Sequence, residues 1–177
     1  MESTKSKANN LLKNKSLLWI NTKHANNLFN KNVWVKTVMF TKKFPNTLQI
    51  SVLEYSAIAY FKKNKLIYLI NDNFKNSLID ENANLENLIE VKNMKNMKDF
   101  KTFFLKIINE DVFFSKIKVI NYIHDGRWNV VLKDGQLIKL GNYNLKKQIK
   151  YLNLILNNQT AKIIDLRYDG RVILANE

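Results

Sequence analysis

The chain lacks cysteine, and this absence excludes several kinds of chemistry. None of its 177 residues is a cysteine, so disulfide bonds, cysteine-ligated zinc sites and thiol nucleophiles are excluded together. Proline (1) and glycine (4) are scarce, and no apolar run approaches the ~18–20 residues of a membrane-spanning helix. Residues 1–8 also lack the apolar core of a secretory signal. The sequence as given therefore predicts neither a membrane span nor an export signal.

Acidic residues are few compared with basic ones. Lys and Arg total 29 against 15 for Asp and Glu, which gives a formal net charge of +14. Such a charge attracts nucleic acid and anionic lipid, but here the lysines are scattered along the sequence and form no clustered stripe. We therefore interpret the excess as a compositional bias of the kind that AT-rich coding produces. Hydrophobic residues at 46% and aromatic residues at 11% predict a folded core rather than a disordered basic tail.

The first third of the chain predicts a helix followed by two strands joined by a turn. Thr22 is the predicted N-cap of the helix, whose apolar face has helical spacing. A strand is predicted from residue 33 to 40, and a turn surrounds Pro45. Alternating apolar residues predict the second strand: Leu48, Ile50 and Val52. Trp34 and Phe44 are expected to lie in the core of this module.

The rest of the chain predicts a sheet with packing helices. A strand is expected at residues 65–70, then a short helix capped by Asp80. Phenylalanines at helical spacing predict a longer helix starting at Asp99, and another helix starts at Asn144. Asp-Gly turns separate the predicted strands 117–123, 127–132 and 136–140, and a third Asp-Gly turn separates the strands predicted at 162–167 and 171–175. The short helix is expected to contain Leu85, Leu88 and Ile89, and Trp128 is expected to be buried.

The residues that usually perform catalysis do not form a recognisable pattern. His24 and His124 are too few for a histidine metal site, and we interpret His124 beside Asp125 as a solvated turn residue rather than a general base. The acidic pairs are sequence neighbours typical of helix ends: Asp80-Glu81 and Glu110-Asp111. The stretch 60–63 mixes aromatic and basic residues, and we interpret it as a strand end rather than a nucleic-acid platform. No catalytic residue, metal or cofactor is predicted.

Four stretches occur in the order found in one known family. They are Trp34-Val35-Lys36 with 44–52, Glu54-Tyr55 with Ile58-Ala59, 126–132 with Asp134-Gly135 and Leu140-Gly141, and Asp165-Leu166-Arg167-Tyr168. Together these stretches resemble the FtsQ family of bacterial cell division proteins, called DivIB in Gram-positive bacteria, across residues 17–174. The resemblance implies an α+β fold. It consists of a truncated POTRA-like module followed by a β-domain with an antiparallel meander, packing helices and a C-terminal hairpin.

The resemblance also implies how the chain is organised. We expect the POTRA-like module at residues 1–60 and the β-domain at residues 61–177. Family members begin with a cytoplasmic tail, a membrane helix and the first POTRA strand, and these parts are expected to be missing here. A truncated chain, a misplaced start and gene decay all remain open as explanations.

The function implied by the resemblance is that of a non-enzymatic divisome scaffold. Such a scaffold lies at the extracytoplasmic face of the inner membrane and recruits FtsB-like and FtsL-like proteins to the septal peptidoglycan synthesis complex. Recruitment would use β-strand addition at the edge formed by residues 171–175. The residues expected to contact the partner are Tyr168, Asp169, Gly170, Arg171, Val172, Ile173 and Leu174.

Alternatives remain open at this stage. Asp165 and Arg167 fit a structural ion pair as well as a partner contact. A basic nucleic-acid-binding protein is the second functional hypothesis, and a different POTRA protein, such as an outer-membrane assembly factor, is the third.

Overall fold

The computed structural model describes residues 12–13, 16–17, 20–79, 83–156 and 161–176. These residues form two compact units. The first contains the described residues up to Ala57 together with Asn71–Ser77, and the second contains Ile58–Ile70 and the described residues from Leu78 onward. Over the described ranges, no helix is both long and apolar enough to cross a membrane.

The first unit packs one helix against a two-stranded antiparallel sheet. Helix α1 spans Thr22–Asn30, strand β1 spans Val35–Lys43 and strand β2 spans Thr47–Glu54. Phe29 and Val35 are buried at the centre of a hydrophobic cluster, and the ring of Phe29 meets Phe40 edge-on at 6.3 Å. The strand residues that complete the cluster are Val38, Phe40, Ile50 and Val52. The period-2 alternation of the sequence thus directs one face of the hairpin onto the helix.

Three sequence expectations for this unit need correction or refinement. The N-cap is Asn21, whose side chain accepts a hydrogen bond from the Lys23 amide at 2.9 Å, so the helix starts at Thr22 itself. Phe44 is 66% exposed rather than buried, because it lies in the turn beyond the last strand pair, Lys43 with Thr47. Trp34 is half-buried, and its indole N–H donates to the Ser77 hydroxyl at 2.8 Å.

The second unit contains most of a mixed sheet of nine strands. Their order across the sheet is β11-β10-β9-β8-β7-β6-β3-β4-β5. Strands β7, β8 and β9 form the predicted antiparallel meander, and the β10–β11 hairpin is also antiparallel. Parallel pairs join β3 to β6, β6 to β7 and β9 to β10. The strands are β3 (Ala57–Lys63), β4 (Leu66–Asn71), β5 (Asn76–Ile79), β6 (Ile89–Lys92), β7 (Ile117–Tyr122), β8 (Trp128–Leu132), β9 (Leu137–Leu140), β10 (Ile163–Leu166) and β11 (Ile173–Ala175).

Three helices accompany this sheet: α2 (Met97–Ile107), α3 (Asp111–Phe114) and α4 (Leu145–Leu156). Asn96 caps α2 by accepting a hydrogen bond from the Asp99 amide at 2.8 Å. The predicted phenylalanine stripe of α2 is buried, and Phe103 stacks on Trp128 with ring centroids 4.7 Å apart. The expectation that Trp128 belongs to the core is therefore confirmed.

The short helix predicted near Leu85 is wrong. Leu85 and Leu88 belong to a turn in which the Leu88 amide donates to the Leu85 carbonyl, and Ile89 opens strand β6. Ile89 and Val91, two residues apart on one face of β6, are both buried, and β6 pairs with two parallel neighbours, β3 and β7. The local spacing was compatible with a helix, but tertiary pairing selects a strand. The proposed cap, Asp80, and its neighbour Glu81 lie outside the described residues.

Candidate partner-binding edge

Strand β11 is the outermost strand at one end of the nine-stranded sheet. Within the described parts of the chain its one pairing strand is β10, in the register Ile163 with Ala175, Ile164 with Leu174 and Asp165 with Ile173. Two large apolar side chains of this strand are exposed to solvent, Ile173 to 48% and Leu174 to 41%. An edge strand also directs half of its backbone N–H and C=O groups away from the sheet. This edge therefore presents both unpaired backbone groups and apolar side chains.

The turn between β10 and β11, residues 167–172, has the geometry that its Asp-Gly pair requires. Gly170 adopts a φ of +72°, a left-handed conformation that glycine reaches without steric cost. The Arg171 amide donates to the Tyr168 carbonyl at 3.2 Å and closes the turn. Tyr168 is 52% exposed, and the guanidinium carbon of Arg167 lies 5.8 Å from the centre of its ring. The turn therefore presents an aromatic ring next to the edge strand.

Asp165 and Arg167 form an ion pair at the base of the turn. Arg167 Nη2 lies 2.6 Å from Asp165 Oδ2, and Nε lies 2.9 and 3.0 Å from the two carboxylate oxygens. The Arg167 amide donates to the same carboxylate at 3.1 Å. Burial favours a neutral carboxyl, but the hydrogen bonds and the positive charge of Arg167 outweigh it and hold the pKa of Asp165 below its usual value. Of the two readings left open by the sequence, the structure supports the ion pair.

Tyr143, from the loop before α4, fastens the turn to the rest of the unit. Its hydroxyl lies 2.8 Å from the Leu166 carbonyl oxygen and 3.0 Å from that of Tyr168, so one donor serves two acceptors. Burial and, to a smaller extent, the negative charge of Asp169 raise the pKa of Tyr143. This hydroxyl therefore remains a proton donor at neutral pH.

Lys147, in the first turn of α4, holds the tip of the β10–β11 turn. Its Nζ lies 2.8 Å from Asp169 Oδ1, and this hydrogen bond lowers the pKa of Asp169. Asp169 was predicted as a partner contact, and in the structure it forms an internal ion pair that is exposed to solvent.

A buried amide holds residues 141–143, the loop from which Tyr143 reaches the turn. Gln148 is fully buried, and its Oε1 accepts a hydrogen bond from the Gly141 amide at 2.8 Å, while its Nε2 donates to the Tyr143 carbonyl at 2.8 Å. Gly141 approaches the turn so closely that an added Cβ would stand 3.0 Å from the Arg167 carbonyl oxygen. Sequence reasoning did not identify Tyr143, Lys147 or Gln148. A buried glutamine on the apolar face of a helix, next to Ile149 and Leu152, is the signal that could have found the last of them.

The other candidate residues lie apart from this edge. His124 Nδ1 lies 3.0 Å from Asp125 Oδ2, and both side chains are exposed in a turn, as expected. In the described parts of the chain, no three His, Asp or Glu side chains come together as a metal site would require. Residues 60–63 end strand β3, where Phe61 stacks on Tyr68 at 5.1 Å and Lys62 and Lys63 point to solvent. This stretch is a strand end, as interpreted from the sequence.

Comparison with known protein families gives two matches that follow one another along the chain. Residues 6–55 match the FtsQ-type POTRA domain, and residues 59–167 match the C-terminal domain of the cell division protein FtsQ/DivIB. Curated relatives named cell division protein FtsQ include that of Rickettsia conorii, which is 28% identical over 80% of this chain and 54% of its own length. Those of Rickettsia bellii and Rickettsia typhi are each 26% identical over 94% of the chain and 64% of their own length. The chain thus spans about half to two thirds of these relatives.

Proposed function

The chain belongs to the FtsQ/DivIB family of cell division proteins, and on that premise we propose that it is a non-enzymatic scaffold of the division machinery. In this proposal the β11 edge receives an extended segment of an FtsB-like or FtsL-like partner as an added strand. The complex links septum assembly to peptidoglycan synthesis at the extracytoplasmic face of the inner membrane. The POTRA-like module is assigned to residues 1–60 and the partner-binding β-domain to residues 61–177.

The observation that supports this proposal is an open sheet edge held in a fixed position. Ile173 and Leu174 expose apolar surface on β11, and the turn that leads into β11 is fastened by Tyr143 and by the Asp165–Arg167 pair. A preorganised edge loses less conformational freedom when a partner strand pairs with it. The proposed contacts are therefore the backbone of β11 and the side chains that flank it.

The seven residues predicted for partner contact have different roles in this proposal. Tyr168, Ile173 and Leu174 provide exposed apolar or aromatic surface. Gly170 shapes the turn through its positive φ, and Asp169 forms an ion pair with Lys147. Arg171 and Val172 connect the turn to the strand.

The test is co-purification of the chain with the FtsB-like and FtsL-like proteins of the same genome at ~0.3 M salt, which screens attraction due to charge alone. Two variants are compared, Ile173→Pro and Leu174→Pro. Successive residues of a strand direct their N–H groups to opposite sides, so one proline removes a bond to β10 and the other removes a donor facing the partner. We expect both variants to lose the partners, and the variant that keeps its β10 bond to retain native circular dichroism.

The matched control is Leu78→Pro on β5, the outermost strand at the other end of the sheet. Leu78 is also exposed, to 54%, so the control introduces the same substitution at the same kind of edge. A folded control should retain the partners. Partner binding that persists in the folded variant whose proline removes the partner-facing donor contradicts the assignment of this edge. A chain that retains no partner but binds duplex DNA with a steep loss of affinity as salt rises supports the nucleic-acid hypothesis instead.

A further inference from the structure

The amino-terminal part of the chain is basic without any compensating acid. Between Glu2 and Glu54 the sequence contains no Asp or Glu. The same stretch contains the lysines Lys5, Lys7, Lys13, Lys15, Lys23, Lys31, Lys36, Lys42 and Lys43. Although these lysines are scattered along the sequence, no acidic residue lies between Glu2 and Glu54 to offset their charge, so this part of the chain is attractive to polyanions.

The tip of the β1–β2 hairpin combines this charge with an exposed aromatic ring. Lys42 and Lys43 end β1, both are exposed, and Phe44 begins the turn with 66% of its surface exposed. None of the ion pairs found among the described residues involves Lys42 or Lys43. A single exposed apolar residue is common on protein surfaces. An aromatic ring at a projecting tip, preceded by two lysines that form no ion pair, is a more specific arrangement.

We propose that this hairpin tip, Lys42–Phe44, docks onto a bilayer that contains anionic phospholipid. Lysine ammonium groups bind anionic headgroups, and an aromatic side chain partitions into the boundary between headgroups and acyl chains. The turn projects beyond the paired strands, so Phe44 reaches this boundary without unfolding of the sheet. Nucleic acid fits the tip less well, because single-strand binding surfaces stack several bases on several aromatic side chains and the tip offers one ring. This inference is independent of the function proposed for β11.

A fluorescent label at the tip provides a direct test. The chain has no cysteine, so Asn46→Cys creates a single attachment point in the same turn for an environment-sensitive dye. Vesicles of phosphatidylglycerol and phosphatidylcholine should shift the emission of this label to the blue, whereas vesicles of phosphatidylcholine alone should not. Leu154→Cys, on an exposed position of α4, is the labelled control and should show no shift with either vesicle. A label at residue 46 that does not respond to anionic vesicles overturns the proposal.

Vesicle sedimentation of unlabelled variants separates the two contributions. Lys42→Gln with Lys43→Gln should weaken binding to anionic vesicles by roughly 10- to 30-fold, since each lysine near the membrane contributes about 1 kcal/mol. Phe44→Ser should weaken vesicle binding more at high salt than at low salt, because the apolar contact dominates when charge attraction is screened. The matched control is Lys62→Gln with Lys63→Gln, which removes two adjacent lysines from the β3–β4 hairpin, where Phe61 stacks on Tyr68 instead of projecting.

Several outcomes would contradict the proposal. An equal loss of binding in the Lys62/Lys63 control means that net charge alone drives the interaction. Displacement of the protein from vesicles by an equal phosphate concentration of duplex DNA assigns the tip to nucleic acid. Retained vesicle binding in the folded Lys42/Lys43 variant excludes the tip as the docking surface.

Discussion

Removing Arg167 should destabilise the protein more than neutralising Asp165, although both changes break the same ion pair. The two partners differ in burial: the side chain of Asp165 is 9% exposed, whereas that of Arg167 is 36% exposed. In Arg167→Met the Asp165 carboxylate stays buried. From residue 167 it keeps one hydrogen-bond donor, the backbone amide at 3.1 Å. In Asp165→Asn the guanidinium is left facing solvent and can be hydrated.

The expected magnitudes follow from this asymmetry. Breaking a fully buried ion pair by removing one partner costs about 3–5 kcal/mol, and the partial exposure of Arg167 reduces this to about 2–3 kcal/mol for Arg167→Met. Asp165→Asn keeps a side-chain oxygen that accepts hydrogen bonds, so its cost should be that of weakened hydrogen bonds, about 0.5–1.5 kcal/mol. Urea unfolding at pH 7, followed by circular dichroism, measures both values.

The pH dependence gives an independent check. In the unmodified protein the pKa of Asp165 is lowered, so the ion pair stabilises the fold above the unfolded-state pKa of about 3.9, and this contribution is lost as pH falls through the folded-state pKa. In Arg167→Met burial is opposed only by the backbone amide of residue 167 and by the charge of Lys139, so the pKa of Asp165 should rise above that of the parent, and protonation on acidification relieves part of the cost. The stability difference between the two proteins should therefore shrink between pH 7 and pH 4.

Two results would refute this reasoning. One is an Asp165→Asn variant that is as unstable as Arg167→Met, and the other is a stability difference that does not change with pH. Lys147→Met is the matched control, because it removes a cation from an exposed ion pair at the same turn. Solvent screens that pair, so the control should change stability far less than Arg167→Met does.

Two further substitutions test the support of the turn. Gly141→Ala should lower the free energy of unfolding by about 1–3 kcal/mol, because the new Cβ would lie 3.0 Å from the Arg167 carbonyl oxygen and force that backbone to move. A urea midpoint unchanged from the parent would contradict this expectation. Gln148→Leu should lower the free energy of unfolding by about 1–3 kcal/mol, because it leaves the buried Gly141 amide without its acceptor. Hydrogen exchange at the Gly141 amide should accelerate in this variant, and unchanged exchange would contradict the assigned role.

Local patterns in the sequence were sufficient to predict the elements with repeated spacing. The phenylalanine stripe of α2 and the Asp-Gly turns that separate β7, β8 and β9 depend on residues close together in the chain, so they could be identified without the fold. Phe44 was misassigned because an aromatic residue next to a strand has the same local pattern whether it lies inside the sheet or just beyond its last pair. The error at Ile89 has the same kind of cause, since β6 is specified by the two strands beside it.

The candidate edge was predicted in position but not in its support. The family resemblance implied an edge at residues 171–175, and the outermost strand β11 lies within that range but covers only Ile173–Ala175. The contacts of Tyr143 with Leu166 and of Gln148 with Gly141 join residues that are 23 and 7 positions apart. No periodicity in the sequence encodes such contacts, because they depend on how α4 returns the chain to β10.

The shortness of β11 limits how tightly backbone pairing alone can hold a partner. A strand of 3 residues offers an added strand about three hydrogen bonds, each with a net value of roughly 0.5–1.5 kcal/mol. The loss of translational and rotational freedom on association costs about 4–15 kcal/mol, which exceeds that gain. A partner selected by this edge must therefore obtain most of its affinity from side chains that reach past the ladder, and a segment able only to pair its backbone dissociates rapidly. For the same reason, an unrelated β-strand that offers only backbone hydrogen bonds competes poorly for this edge. The short length of β11 therefore restricts which sequences remain bound.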